Sequence, residues 1–191
     1  MRKLIAIFAL SSLGLASVPA LADNYVIDTQ GAHASINFKV NHLGFSWLVG
    51  RFNEFGGDFT YDSENLSDSN INVTINTRSV DSNHSERDRH LRNSDFLDVS
   101  KFPEATFVST EVIPGEGDKF QIVGDLTLHG VTNSITIDAK KVGEGEDPWG
   151  GHRVGFAGKT EFKMKDFGMD YNLGPEAETV YMDLHIEGIR Q

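Results

Sequence analysis

The chain has 191 residues, a formal net charge of −11 and no cysteine. The length indicates one domain, and the lack of cysteine excludes disulfides, thiolate metal sites and cysteine nucleophiles. The acidic balance argues against a nucleic-acid partner and against broad adhesion to anionic lipid headgroups, because both need clustered lysine and arginine.

The first 22 residues have the layout of a secretory signal peptide. Arg2 and Lys3 form a basic start, residues 4–18 are mostly apolar, and Ala20-Leu21-Ala22 places small residues at both key positions of a cleavage site. The apolar run is shorter than the roughly 20 residues of a membrane-spanning helix. We therefore expect a mature domain over residues 23–191 with a charge of −13 after loss of Arg2 and Lys3, located in the periplasm and without stable membrane insertion.

Apolar and polar residues alternate along most of the mature chain, which predicts strands with one buried and one polar face. Alternating segments lie at residues 34–40, 71–76, 120–128, 135–139, 153–164 and 180–187, with further strands expected near 26–28, 48–61 and 104–112. A helical turn is predicted at residues 43–47. Gly56-Gly57 predicts a bulge or corner, His129-Gly130 a tight turn, and residues 143–151 a polar, glycine-rich loop.

Residues 79–103 interrupt the alternation and predict a short helical insertion. Asp81 or Ser82 is a candidate N-cap, Ser85 with Asp88 gives a loose capping signal, and Pro103 stops the segment.

Eight or so long antiparallel strands with this insertion favour an all-β barrel over a sandwich, because several runs exceed the usual strand length. The inward apolar residues either fill a core or line a cavity. Gly124 and Gly158 fall on the inward side, where a glycine would leave space. An apolar lumen would select an apolar ligand such as a long hydrocarbon tail.

Charged and imidazole side chains offer few catalytic or metal-binding patterns. Arg87, Arg89 and Arg92 form either a cationic gate for a phosphate or quinone head group, or local pairs of Glu86 with Arg89 or His90 and of Asp88 with Arg92. A metal site from His84, Glu86 and His90 is disfavoured, since the segment has no tight ligand spacing. No nucleophile elbow or triad spacing predicts an enzyme.

Several long motifs resemble the YceI-like family, in particular its exported subgroup. They are found at residues 42–52, 87–98, 101–110, 124–132, 147–151, 165–168 and 186–188. The resemblance implies an extended eight-stranded antiparallel lipocalin-like barrel, with the helical insertion at about 79–103. It also implies that the lumen binds an isoprenoid lipid, either a polyprenyl phosphate or an isoprenoid quinone.

With this resemblance, we expect no catalytic or metal-binding residues and no required cofactor, the isoprenoid lipid being the bound ligand and partner. An interaction barrel without a ligand and an enzyme acting on an isoprenoid lipid are the alternatives, and homodimer formation is left open. The predicted ligand-binding residues are eight apolar ones and the three arginines: Phe38, Val73, Ile75, Phe156, Phe162, Met164, Met182, Leu184, Arg87, Arg89 and Arg92.

Overall fold

A computed structural model describes residues 22–191 as a sheet of eleven strands with one α-helix. The predicted leader falls almost entirely on residues 1–21, outside the described residues, so its cleavage stays a prediction. Among the described residues, none of the helices is long and apolar enough to cross a membrane. The strands are β1 (Asp23–Ile27), β2 (Ser35–His42), β3 (Ser46–Phe52), β4 (Phe55–Tyr61), β5 (Asn70–Asn76), β6 (Val80–Asp81), β7 (Glu104–Pro114), β8 (Lys119–Leu128), β9 (Val131–Glu146), β10 (His152–Lys163) and β11 (Thr179–Arg190), and the helix is α1 (Ser85–Leu91).

Eight of these strands close into an antiparallel barrel, as predicted. The order around the ring is β1, β4, β5, β7, β8, β9, β10 and β11, and β11 closes it by pairing with β1, with Ile27 opposite Gly188. β2, β3 and β6 continue the wall at one end. There β2 pairs with the first half of β11, next to the stretch that pairs with β1.

The predicted strand over residues 48–61 is two strands, and the break is not at the glycines. Gly56 and Gly57 lie inside β4, paired with Thr74 and Val73 of β5. The chain leaves the ladder at Asn53 and Glu54 instead. There the Asn53 amide donates to the Ser79 carbonyl oxygen at 3.1 Å and the Glu54 amide to the Ser79 hydroxyl at 2.9 Å.

The helical turn predicted at residues 43–47 is wrong, because these residues form a β-hairpin between β2 and β3. Leu43 and Gly44 have φ of 54° and 78°, and the Phe45 amide donates to the His42 carbonyl oxygen at 2.9 Å. Two successive positive φ values match the twist of paired strands, and three residues, 43–45, separate the paired His42 and Ser46. His129-Gly130 forms a similar tight turn between β8 and β9, as predicted.

The glycine-rich loop is shorter than predicted. β9 continues through Gly143 and Gly145, which pair with Gly155 and Arg153 of β10, so only residues 147–151 form the turn. Glycine is unfavourable in strands but not excluded, and here the partner strand continues opposite both positions.

The insertion covers one end of the barrel, but its predicted caps are wrong. His84 is the N-cap residue of α1, and its ring accepts a hydrogen bond from the Arg87 amide at 3.3 Å. Asp81 ends β6, and buried Ser82 donates from its amide to the Asp88 carboxylate at 2.7 Å. The insertion is anchored by apolar side chains that join the main core: Leu91, Phe96, Leu97 and Val99.

Candidate functional site

The barrel interior contains three apolar cavities in a row. The central chamber has a volume of about 120 Å³, the insertion-side chamber about 110 Å³ and the far chamber about 70 Å³. The central chamber shares Ile75, Leu126, Phe162 and Met182 with the insertion-side chamber, and shares Ile71, Ile122, Phe156 and Ile186 with the far chamber. The two outer chambers have no wall residue in common, so the three follow one another along the lumen.

Each end of this row is covered by an element outside the eight-stranded ring. Leu91, Phe96 and Leu97 of the insertion close the insertion-side chamber, and Leu66, on a single-turn helix between β4 and β5, lies over the far chamber. The surface facing all three chambers is apolar. Such a lumen offers no hydrogen bonds to water and favours hydrocarbon over polar ligands.

All eight apolar residues predicted to bind ligand line these chambers. Six of them line the central chamber: Val73, Ile75, Phe156, Phe162, Met182 and Leu184. Phe38 and Met164 line the insertion-side chamber, where Met169 and Met182 add two further flexible thioether side chains. The structure therefore brings the apolar part of the predicted site together, and ligand contact by these residues stays a prediction.

The chambers are small, so the interior is partly filled and partly void. A buried apolar cavity of about 150 Å³ stays dry and admits one benzene-sized molecule. Each larger chamber therefore suits a branched unit of about five carbons. Phe162 and Met182 line both the central and the insertion-side chamber and lie between them. A ligand tail that extends through both chambers needs these two side chains to change rotamer, and the unbranched Met182 has the torsional freedom to do so.

Gly124 does not leave the space that its inward position predicts. A Cβ at Gly124 would lie 2.5 Å from Cζ of Phe107, so the Phe107 ring occupies that space. Gly50 admits the Phe38 ring in the same way, and Gly158 lines the central chamber with Ile137 packed closely over it. Sequence reasoning missed this packing of rings against glycines, because Phe38 and Gly50 meet only through the pairing of β2 with β3.

The three arginines bind protein groups and are not among the residues that line the chambers. Arg87 donates to the Ser82 hydroxyl at 2.8 Å and carbonyl oxygen at 2.6 Å. Arg92 donates to backbone carbonyl oxygens at 2.8 and 2.6 Å, those of Arg78 and Val80. Arg89 pairs with Glu86 at the surface, as the local-pairing alternative predicts. The pairing of Asp88 with Arg92 is wrong, because Asp88 accepts from Ser82.

A second charged cluster, which sequence reasoning missed, surrounds Arg153 near the β9–β10 turn. Its guanidinium lies 2.6 Å from carboxylate oxygens of Asp28, Asp147 and Glu187. The hydrogen bonds from Arg153 lower the pKa of Asp28 to about 2, with help from the Gly31 amide, and the carboxylates raise the pKa of Arg153. This cluster ties together the end of β1, the β9–β10 turn and β11.

The same cluster has the geometry of a metal site but already contains a cation. Ligand atoms of Asp28, His33 and Glu187 converge, with the His33 ring nitrogen 2.9 Å from Asp28. Arg153 donates to the same Asp28 and Glu187 oxygens, so two of the three candidate ligand atoms already accept from a guanidinium. The His84, Glu86 and His90 set is also engaged elsewhere: His84 caps α1, Glu86 pairs with Arg89, and His90 bonds to Asp95.

These features define a class of protein: closed, eight-stranded antiparallel barrels with a covered apolar lumen. The family model described as "YceI-like domain" matches residues 25–188, nearly all of the described chain. The chain belongs to the YceI-like family.

A curated relative is similar in sequence, and two solved structures are similar in fold. A UPF0312 protein of Shewanella denitrificans is 60% identical over 171 residues, covering 89% of each chain. The crystal structure of Burkholderia cenocepacia BcnA is similar with a TM-score of 0.75 at 20% identity, over 84% of this chain and 98% of that one. A polyisoprenoid binding domain from Saccharophagus degradans, implicated in plant cell wall breakdown, has a TM-score of 0.64 at 14% identity, over 90% and 100%.

Proposed function

We propose that this protein binds the tail of an isoprenoid lipid in its barrel lumen and carries or sequesters that lipid in the periplasm. The observation that carries the proposal is the row of three adjoining apolar chambers between two covered ends. The description of the Saccharophagus degradans domain as polyisoprenoid binding supports the choice of ligand.

The spacing of the chambers suits a branched, flexible chain. An isoprenoid tail repeats a five-carbon unit, and successive units can occupy successive chambers separated by the shared partition residues. Each methylene buried contributes about 0.8 kcal/mol, so one five-carbon unit in each of the two larger chambers contributes about 8 kcal/mol against the entropic cost of holding the tail. The apolar interior contacts only the tail, so both a polyprenyl phosphate and an isoprenoid quinone fit the proposal.

The same lining favours binding without chemical turnover. A reaction on the lipid needs a nucleophile or base aimed at the bound substrate. The surface facing the three chambers is apolar, and the buried carboxylates Asp28 and Asp88 are engaged by Arg153 and Ser82 outside the lumen.

The test begins with protein purified from the periplasm of its own organism, analysed by native mass spectrometry and organic extraction. We expect an isoprenoid to co-purify unchanged, and a mature N-terminus at Asp23. A ligand-free protein that also takes up no polyprenyl phosphate or quinone would support the interaction barrel, and a chemically altered lipid would support the enzyme.

A pair of variants on one strand then locates the ligand. Ile135 lines the central chamber, whereas the neighbouring Ser134 faces solvent. Ile135→Trp should fill the chamber and reduce isoprenoid uptake at least tenfold, while Ser134→Trp, which adds the same ring outside, should leave uptake unchanged. Equal uptake by two folded variants would show that the tail does not enter the central chamber.

A further inference from the structure

The tip of the β2–β3 hairpin exposes an unusual set of apolar side chains. Phe45 is 87% exposed, Leu43 55% and Trp47 47%, and Val49 follows on the same outer face of β3. Scattered exposed apolar residues are ordinary, but three within five positions of one hairpin indicate a binding surface. We call Leu43, Phe45 and Trp47 the hairpin tip.

The backbone conformation of Leu43 indicates that leucine is not at this position in order to stabilise the turn. Its φ of 54° lies in the left-handed region, which strains a branched side chain and favours asparagine, aspartate or glycine in such turns. At 55% exposure, Leu43 gains little burial to offset this strain. Strain of this kind is typical of positions retained for function.

The segment that carries the hairpin has the opposite formal charge to the chain as a whole. The chain has 28 acidic and 17 basic residues, yet residues 29–53 contain Lys39 and Arg51 and no aspartate or glutamate. The Lys39 ammonium lies 4.7 Å from the centre of the Trp47 ring, and Trp47 packs edge-on against Tyr181 at 5.4 Å. An indole, a phenol and a cation held together suit the interface between lipid headgroups and acyl chains.

The hairpin tip lies beside an outer depression that is separated from the lumen only by shared side chains. The depression, of about 340 Å³, is lined by the β10–β11 loop, including Leu173, Gly174 and the acidic Asp170 and Glu178. A Cβ at Gly174 would lie 3.8 Å from Cδ2 of Leu43, so the hairpin tip borders this depression. Met164 and Met169 line both this depression and the insertion-side chamber. Two flexible thioether side chains therefore separate the outside from the lumen at this point.

We propose that the hairpin tip inserts into the surface of an anionic lipid bilayer, and that the isoprenoid tail passes between bilayer and lumen beside Met164 and Met169. The passage of lipid rests on the proposed function, whereas docking of the hairpin does not. A bilayer is favoured over a second copy of the chain because the tip has only three exposed apolar side chains, one of them beside the Lys39 ammonium. A stable protein interface buries about 800 Å² on each partner, which needs a broader face.

Docking is tested by sedimentation with vesicles of phosphatidylethanolamine and phosphatidylglycerol. Phe45→Ser should lower partitioning about tenfold, the effect of losing one inserted aromatic side chain. Val142→Ser on β9 is the control, since Val142 is 68% exposed on the barrel wall and should leave partitioning unchanged. Lys39→Gln should weaken binding to these vesicles and have no effect with phosphatidylcholine alone.

Leu43→Asn separates docking from folding. Asparagine suits the left-handed turn, so this variant should unfold at equal or higher urea concentration while its vesicle partitioning falls severalfold. Unchanged partitioning of both Leu43→Asn and Phe45→Ser would overturn the proposal. So would a dimer of the wild type that Phe45→Ser dissociates without vesicles, because the tip would then be a contact between copies.

Lipid exchange distinguishes this inference from the proposed function. Wild-type protein loaded with a fluorescent polyprenyl phosphate should release it to vesicles about tenfold faster than Phe45→Ser does, with equal affinity for the lipid in detergent. Equal release rates would overturn the passage of lipid and leave the proposed function intact. A wild type that binds vesicles but takes up no isoprenoid would overturn the proposed function and leave docking intact.

Discussion

Gly188 is the position where a single methyl group should disturb barrel closure. It pairs with Ile27 of β1 and with Val154 of β10. A Cβ there would lie 2.5 Å from Cε1 of Phe59, closer still to its Cζ, and 3.1 Å from Cβ of Tyr25. The rings of Phe59 and Tyr25 are buried and stacked, with centroids 5.0 Å apart, so the Phe59 ring cannot move freely.

We expect Gly188→Ala to lower the free energy of unfolding by about 1–3 kcal/mol, the usual cost of overpacking a tight core. Gly56→Ala is the matched control, because Gly56 lies in β4 of the same barrel and a Cβ there meets nothing within 4 Å. The control should change stability by about 0.5 kcal/mol or less. Urea unfolding followed by circular dichroism measures both.

A double-mutant cycle with Phe59→Leu tests the mechanism. Leucine removes the ring atoms that meet the new methyl group, so Gly188→Ala should cost about 1 kcal/mol less in that background. Additive effects of the two changes, or a Gly188→Ala cost no larger than that of Gly56→Ala, would refute clash with Phe59 as the cause.

Three further changes test the remaining features of the molecule. Arg153→Gln should destabilise the protein at neutral pH. Because the pKa of Asp28 is held near 2 in the folded state and is 3.8 without its partners, this stability is present above pH 4 and lost as the pH falls through 2. The difference in free energy of unfolding between variant and wild type, measured by urea unfolding, should therefore become smaller from pH 4 to pH 2. A difference that stays constant over this range would contradict the prediction. Arg89→Ala should change the free energy of unfolding by less than about 0.5 kcal/mol, because Arg89 forms only a surface ion pair. Arg92→Ala removes two charged hydrogen bonds to backbone and should cost about 1.5–3 kcal/mol. This cost should be the same in lipid-free and in lipid-loaded protein. A loss confined to loaded protein would revive the cationic gate. Phe162→Ala should join two chambers, speed isoprenoid uptake and cost about 2–4 kcal/mol in urea unfolding, and slower uptake would exclude Phe162 as a barrier.

Strand positions were predictable because alternation is a local property. The period of two fixes which side chains face inward, and the eight apolar residues predicted for ligand binding all reached the chambers for this reason. The tight turn at His129-Gly130 was equally local. The hairpin at residues 43–47 was misjudged because its apolar residues face solvent, and a pattern assumes that apolar side chains are buried.

Contacts distant in sequence escaped prediction. Arg92 has a carboxylate four residues away on Asp88, yet it donates to carbonyl oxygens of Arg78 and Val80, and Asp88 accepts from Ser82. Sequence proximity could not rank these partners, because a buried hydrogen bond is decided by which groups the fold removes from water together.

The sequence by itself determined a β-barrel with an apolar inward face and a short helical insertion, and the structure placed that insertion over one end. Only the tertiary structure decided which inward positions leave a void. The space beside Gly124 is filled by the Phe107 ring, whereas empty chambers are left on both sides of Phe162 and Met182. The physical reason is that hydrophobicity along a strand is read one residue at a time. Empty volume depends instead on the side chains that meet from opposite walls of the barrel.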